Sequence, residues 1–392
     1  MKSNYRYIVK AFMAMAVIAG TTSCDDFLDR EPMSSISPET YYSTAAQLEA
    51  NLNDEYPNVL PSFGQWTYGI FGEDKGTDNQ IEVNANDRYT QDRWKVPHSE
   101  SDNWKFERIY RINFFLSEAL PKFGEDMSGS QNTISGSVAT IKHYIGEMYF
   151  LRAYEYFKKL QLFGDFPIIN QPLADEMEAL REASKRFPRN EVARFIISDL
   201  DKAYAYMSDV DMATTRINKD VAMLVKSRVA LFEATWLQNF KGTAFVPGGE
   251  GWPGASLHNN YQYPSGNIDN EVKYFLEQAV EASKLVADKY KGNLTENTGV
   301  LQQSADDPSN PYFDMFAQED LSDVKEVLLW RQYARGLSTH NINAAAGRGN
   351  YRIGLTRGFV QNFLMKDGTP VYAHGSYAVS YTHLTLPTTS RV

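Results

Sequence analysis

Apolar side chains recur at intervals of three and four residues along much of the chain, which is the spacing of a helix with one buried face. The longest such stretch runs from Ser137 to about Phe163 and carries Ile141, Ile145, Met148, Leu151, Ala153, Tyr156, Phe157 and Leu160. The turn sequence from Gly164 to Pro167 follows it directly. This stretch is therefore predicted to form one long helix that ends at the turn.

Four further stretches show the same periodicity. They predict helices over 101–120, closed by Pro121, and over 190–207, 219–240 and 271–290. Paired helices of this length predict a mainly α fold with an α-solenoid core of stacked helix pairs.

Two long polar segments interrupt the helices, over 57–97 and 242–266. Both mix glycine, proline and asparagine with tryptophan and tyrosine. Loops of this length in a compact domain are usually functional or disordered, so ligand contacts are expected there.

The first residues read as an export signal that ends at Cys24, the only cysteine of the chain. A basic start with Lys2, Arg6 and Lys10 precedes an apolar run and the small residues that a signal peptidase needs. The apolar run is shorter than the roughly 20 residues that span a bilayer. Cleavage before Cys24 would free its thiol for lipidation, which predicts an acyl anchor. The alternative is a plain secretory leader with an incidental cysteine.

Composition narrows the class of protein. Since Cys24 is the only cysteine, no disulfide can form within the chain, and burial must supply the stability. The net charge is -10, and no lysine or arginine cluster follows the leader, which argues against a nucleic-acid partner. Aromatic residues make up 13% of the chain, enough for some rings to face a ligand.

The stretch from Glu147 to Pro167 contains Phe150-Leu-Arg-Ala and ends in Phe163-Gly-Asp-Phe-Pro. It resembles the signature of the SusD/RagB family, surface lipoproteins of Bacteroidota that capture nutrients. Further segments resemble motifs of the same family in the same order: Cys24 to Asp29 with Pro32, Tyr110 to Asn113, Ile197 to Leu200, Ala222 to Trp236, Glu326 to Leu329, and Asn362 to Gly368. The resemblance runs from Cys24 to about Pro370.

The resemblance implies four tetratricopeptide-like helix pairs, packed against an irregular, loop-rich half that holds the ligand. It implies a protein that is not an enzyme and that binds an oligosaccharide or a peptide. Such proteins pass the ligand to a SusC/RagA-type TonB-dependent transporter in the outer membrane. The expected location is the cell surface, with lipid anchoring through Cys24, and Asp25-Asp26 is similar to the family's acidic surface-export signal.

The expected organisation has four parts. They are a lipoprotein signal peptide over 1–23, an N-terminal region with helical repeats over 24–240, a partial C-terminal region over 241–379, and a non-native tail over 380–392. Family members are usually longer, which predicts that the C-terminal part is missing. The tail resembles translated sequencing adapter, and the alternative is a genuine frayed terminus.

The sequence contains few motifs that would indicate catalysis or metal binding. No nucleophile elbow, zinc motif or phosphate loop occurs, and no catalytic residue is predicted. Carboxylate pairs such as Asp306-Asp307 leave open a lipid-anchored glycoside hydrolase, and the helical repeats leave open a purely protein-binding solenoid. No cofactor is predicted, but a polar cluster in the first loop leaves open a structural calcium ion: Asp74, Asp78, Asn79, Asn84, Asn86 and Asp87.

A sugar presents an apolar ring face to aromatic side chains and hydroxyl edges to Asp, Asn, Gln or Arg. The candidate ligand contacts are therefore aromatic and polar residues of the two long loops: Trp66, Tyr68, Asp78, Asn79, Arg93, Trp94, Trp252, Tyr261 and Tyr263. The alternative for each ring is local packing beneath its loop. Trp104, Trp236 and Trp330 fall within apolar patterns and are predicted to lie in the core.

Overall fold

A computed structural model describes residues 41–63, 72, 74–81, 103–124, 126–208, 212–300, 304, 306–334, 339, 354–365, 368–370 and 373. Several predicted features lie outside these residues: Cys24, Trp66, Tyr68, Arg93, Trp94 and the tail over 380–392. Among the helices within these ranges, none has the length and apolar character needed to cross a membrane.

The described chain is mainly helical, which confirms the predicted fold class. Its helices are α1 (Ala45–Val59), α2 (Glu107–Phe123), α3 (Val138–Phe163), α4 (Met177–Ala183), α5 (Arg189–Tyr206), α6 (Lys219–Asn239), α7 (Ile268–Tyr290), α8 (Pro311–Met315) and α9 (Arg357–Gln361). A 3-10 helix spans Pro253–Ser256. Strands β1 (Gln80–Ile81) and β2 (Gly354–Leu355) pair antiparallel, with Gln80 opposite Leu355.

The long helices pack in sequence order around one apolar core. Both α1 and α2 pack on α3, α3 packs on α5, α5 on α6, and α6 on α7. Leu48, Ile112, Phe150, Leu200 and Phe275 are among the side chains buried between them. The stacked helix pairs predicted from periodicity are therefore present in the described part of the chain.

Capping side chains explain several helix starts. Ser137 caps α3, Asn218 caps α6 and Asn267 caps α7, each by accepting a hydrogen bond from a backbone N–H of the first turn. The helix α1 was not predicted, although Thr44 and Gln47 form a capping box at its start. Since α1 contains Pro57, the first long loop begins later than the sequence indicated.

The predicted end of α2 at Pro121 is wrong. The helix continues through Pro121 to Phe123 and ends at Gly124, whose φ is 106°. Proline lacks the backbone N–H that would continue the ladder, but within the last turn it removes only one hydrogen bond. The positive φ of Gly124 is what turns the chain out of the helix. The helix also begins later than predicted, at Glu107, so Trp104 precedes it.

A buried polar network joins three of the family-like motifs. Arg152 of α3 donates two hydrogen bonds to Asp199 of α5, with Nε to Oδ2 at 2.6 Å and Nη2 to Oδ1 at 2.8 Å. Its Nη1 donates to Oδ1 of Asn113 in α2 at 2.9 Å and to the carbonyl oxygen of Asn170 at 3.0 Å. The arginine of the signature therefore holds α2, α3 and α5 together rather than facing a ligand.

Replacing Gly146 by alanine is expected to lower the free energy of unfolding by about 1–3 kcal/mol. A Cβ at this position would lie 2.8 Å from the backbone nitrogen of Met207 and 2.9 Å from the carbonyl oxygen of Ala203, so α3 and α5 would have to separate. Urea unfolding measures the effect. The control is Gly292→Ala, where nothing lies within 4 Å of the added Cβ. Equal stability of both variants and the wild type would contradict this packing.

Candidate functional site

The second long loop folds over a cavity at the C-terminal end of α3. The cavity has a volume of about 620 Å³, and its lining includes Phe163, Asp165, Arg189, Trp236, Phe245 and Trp252. We name it the Trp252 pocket. Its residues come from the end of α3, the start of α5, the end of α6 and the loop over 242–266. Apolar Leu162, Phe245 and Leu257 at the pocket are all more than half exposed.

Trp252 is fixed in place by a carboxylate of the signature turn. Its indole Nε1–H donates to Oδ2 of Asp165 at 2.8 Å, and only 5% of the residue is exposed. The other oxygen of Asp165 accepts the backbone N–H of Arg189 at 2.9 Å. Burial raises the pKa of Asp165, although the two donors and nearby guanidinium groups oppose the shift. The Gly-Asp-Phe-Pro turn thus positions the second loop.

Tyr261 and Tyr263 lie behind Trp252 and are not among the residues lining the pocket. The rings of Trp252 and Tyr261 are 5.6 Å apart, and those of Tyr261 and Tyr263 are 5.2 Å apart. The Tyr261 hydroxyl donates to Oδ1 of Asn190 at 3.1 Å, and the Tyr263 hydroxyl donates to the carbonyl oxygen of Pro247 at 2.7 Å. Burial raises the pKa of both phenols. Tyr261 therefore packs against Trp252, and Tyr263 packs against Tyr261.

Arg189 lines the pocket, and two of its three guanidinium nitrogens donate hydrogen bonds to Glu233. Its Nε and Nη2 donate to the carboxylate of Glu233 at 2.9–3.1 Å, and its Cζ lies 4.1 Å from the ring centroid of Trp236. The pKa of Glu233 is raised, because complete burial outweighs its pairing with Arg189. Trp236 in turn donates from Nε1 to the carbonyl oxygen of Phe245 at 3.1 Å. Sequence reasoning missed Arg189, Phe245 and Asp165 as pocket residues.

Glu271 stabilises the scaffold behind Trp252. Its carboxylate accepts hydrogen bonds from Nε and Nη2 of Arg194 at 2.7 and 2.8 Å and from Nδ2 of Asn190 at 3.0 Å. It also accepts the backbone N–H of Ser265 at 3.1 Å. Burial raises the pKa of this carboxyl, but these donors outweigh burial, so the pKa lies below its usual value.

The contribution of Glu271 to stability is expected to disappear in acid. Because its folded-state pKa is the lower one, the unfolded chain binds the proton first as the pH falls. The stabilisation is present above the unfolded pKa and is lost as the pH falls through the folded pKa. Urea unfolding between about pH 7 and about pH 3 should therefore show a stability difference between wild type and Glu271→Gln that shrinks with acid. A constant difference would contradict the pairing. Glu277→Gln, at an exposed pair with Lys273 on the same helix, is the control.

Asp78 and Asn79 lie beside the small sheet and do not line the Trp252 pocket. The Asn79 carbonyl oxygen accepts the backbone N–H of Thr356 at 2.8 Å, and the Asp78 carbonyl accepts the Thr356 hydroxyl. Three members of the predicted calcium cluster, Asn84, Asn86 and Asp87, lie outside the described residues, so the calcium hypothesis stays open. Within the described ranges, no group of three or more His, Cys, Asp or Glu could hold a metal ion.

The three tryptophans predicted to lie in the core are partly buried. Trp104 and Trp236 pack against the core, and both also stack under arginine side chains near the Trp252 pocket. Trp330 donates from Nε1 to the Thr214 hydroxyl at 2.8 Å and lines a second cavity of about 560 Å³ between α1, α3 and α6.

The stacked helix pairs, the buried network of Arg152 and the loop-covered pocket together define a helical-repeat binding protein. A comparison with protein families identifies the family of the chain. The SusD-like family, described as starch-binding and associating with the outer membrane, matches residues 26–231, which is 206 of the 392 residues. The chain belongs to this family, and the predicted family resemblance is confirmed.

Curated relatives agree with this assignment. The chain is 25% identical over 253 residues to SusD-like protein P2 of Formosa agariphila, covering 62% of this chain and 46% of the relative. It is 25% identical over 233 residues to SusD-like protein P25 of the same organism, covering 55% and 41%. The chain thus spans less than half the length of these relatives.

Solved structures of the family are also similar. A SusD-like carbohydrate-binding protein from Bacteroides fragilis matches with 14% sequence identity and a TM-score of 0.49, covering 84% of this chain and 55% of that one. A laminarin-binding SusD-like protein matches with 16% identity and a TM-score of 0.40, covering 65% and 45%.

Proposed function

We propose that this protein is a cell-surface lipoprotein that binds an oligosaccharide and delivers it to a partner TonB-dependent outer-membrane transporter. The Trp252 pocket is the observation that carries the binding part of the proposal. Aromatic rings with hydrogen-bonding groups beside them are what a pyranose ring needs, and Trp236, Phe245 and Trp252 supply the rings here.

The volume of the pocket and the fixed position of Trp252 support a saccharide ligand. A cavity of about 620 Å³ is within the usual size of small-ligand pockets and can hold a few sugar units. Because Asp165 and Tyr261 hold Trp252, little side-chain entropy is lost on binding. Of the predicted contacts, Trp252 is proposed to touch the ligand, with Tyr261 and Tyr263 holding it in place.

The anchor and the transporter complete the proposal. Lipidation of Cys24 would tether the protein at the outer membrane, and a tethered binder raises the local ligand concentration at the transporter mouth. The SusD-like family is described as associating with the outer membrane, which supports this location. The proposed organisation remains helical repeats over 24–240 followed by part of a C-terminal region over 241–379.

Co-purification tests the delivery part. The full chain is expressed together with a SusC/RagA-type TonB-dependent transporter, and cells are fed a labelled fatty acid. We expect the wild type to carry the label, to fractionate with the outer membrane and to retain the transporter on affinity capture. Cys24→Ala should lose the label and the membrane fraction. A wild type without lipid, or one that never captures the transporter, would contradict the proposal.

A further inference from the structure

Two arginine side chains reach the Trp252 pocket with hydrogen-bonding capacity left over. Arg189 uses Nε and Nη2 on Glu233, and within the described residues its Nη1 makes no hydrogen bond. The side chain of Arg189 is only 4% exposed, so this donor is buried except where it faces the cavity. Gly164 leaves that face open, since a Cβ there would lie 3.5 Å from Nη1.

Arg186 is the second cation of the pocket. Its Cζ lies 4.5 Å from the ring centroid of Trp104, so an indole face holds the guanidinium group without neutralising it. Among the described parts of the chain, no carboxylate pairs with Arg186, although its neighbour Lys185 pairs with Glu182. Each guanidinium group therefore lies against a tryptophan ring, and donors remain on Arg186 and at Nη1 of Arg189.

The carboxylate of the pocket lining is already engaged. Asp165 is the only carboxylate among the described lining residues, and each of its oxygens accepts a hydrogen bond, from Trp252 and from the backbone of Arg189. Glu233 lies on the far side of Arg189 and is fully buried. Glu233 balances the charge of Arg189, so the free hydrogen-bonding capacity of the lining is that of Arg186 and of Nη1 of Arg189, in a chain whose net charge is -10.

Resting on the glycan-binding function proposed above, we propose that the Trp252 pocket selects an acidic oligosaccharide, whose oxyanion binds between Arg186 and Nη1 of Arg189. Guanidinium groups match the planar oxygens of a carboxylate and also bind sulfate, and such charge-assisted hydrogen bonds are about twice as strong as neutral ones. The sugar ring would lie on the aromatic side chains, with Phe245 and Trp252 nearest the loop. The shared chemistry is an anionic group, either a carboxylate or a sulfate, on the bound saccharide.

Matched pairs of probes test the inference by calorimetry on the full chain. One pair is oligogalacturonide against its methyl ester, which removes the carboxylate charge and keeps the sugar backbone. The other pair is sulfated against desulfated carrageenan oligosaccharide. We expect one charged probe to bind at least about tenfold more tightly than its neutral partner. The pair that shows the difference tells carboxylate from sulfate.

Two substitutions test whether the preference for the charged probe arises at the pocket. Arg186→Gln should remove most of the preference for the charged probe, because it removes one of the two cations. Arg181→Gln is the control, since this exposed arginine pairs with Glu178 outside the pocket and should change nothing. Equal affinity for charged and neutral probes, or a preference that survives Arg186→Gln, would overturn the inference while leaving glycan binding intact. Absence of binding to all four probes and to neutral glucans would instead contradict the function proposed above.

Discussion

Replacing Asp199 by asparagine is expected to lower the free energy of unfolding by about 3–5 kcal/mol. The change leaves the guanidinium group of Arg152 buried, with 4% side-chain exposure, and without its counter-ion. Removing one partner of a buried pair costs far more than the pair contributes, because the remaining charge keeps its desolvation penalty. The asparagine amide would also point a donor at a group that only donates. Urea unfolding measures the loss.

Asp288→Asn on α7 is the matched control. Asp288 pairs with Lys284 one turn away, and both side chains are at least half exposed, so water screens the interaction. An exposed pair of this kind contributes about 0–1 kcal/mol. If both variants lost the same stability, the network of Asn113, Arg152 and Asp199 would not hold the helices together as described.

Replacing Trp252 by alanine is expected to weaken oligosaccharide binding by roughly thirtyfold or more, which corresponds to about 2 kcal/mol for a central aromatic contact. Trp252 supplies a ring of the pocket and also anchors the second loop through its bond to Asp165. Titration calorimetry with the oligosaccharide that binds the wild type measures the change.

Loss of the Trp252 ring also removes buried packing, so a second variant separates binding from folding. Phe245 is 61% exposed, and Trp236 bonds its backbone oxygen rather than its side chain. Phe245→Ala should therefore keep the wild-type stability and still weaken binding. A Phe245→Ala variant that binds like the wild type, together with a Trp252→Ala variant that fails only by unfolding, would exclude the pocket as the ligand site.

Helix periodicity and local caps made most of the helical fold predictable. The long helix α3 begins after Ser137 and ends before Gly164, as its sequence indicated, because the cap and the turn act locally. The sequence does not predict helix α1 for a different reason: Pro57 indicates the start of a loop, whereas the capping box and the buried Leu48 and Leu52 hold the helix to Val59. Tertiary packing overrides the weak local signal of a single proline.

The pocket was only partly predictable, because it is assembled by contacts far apart in the sequence. Trp252 stood out as an aromatic residue in a glycine-rich loop, but its partner Asp165 lies 87 residues away. The sequence around Arg189 does not mark it as a binding residue, because it begins a helix and resembles any other charged residue there. The signature turn from Gly164 to Pro167 is the sequence feature that could have indicated the pocket, because it brings Asp165 to the pocket lining.

We expect this SusD-like protein to capture a saccharide without cleaving it. The most direct test is titration calorimetry of the purified full chain against a panel of complex polysaccharides and peptides, followed by assay of the same mixtures for new reducing ends. We expect saturable binding to at least one polysaccharide, lost in Trp252→Ala, with no reducing ends released. Binding to no member of the panel, or release of reducing ends that a single Asp or Glu substitution abolishes, would contradict the claim.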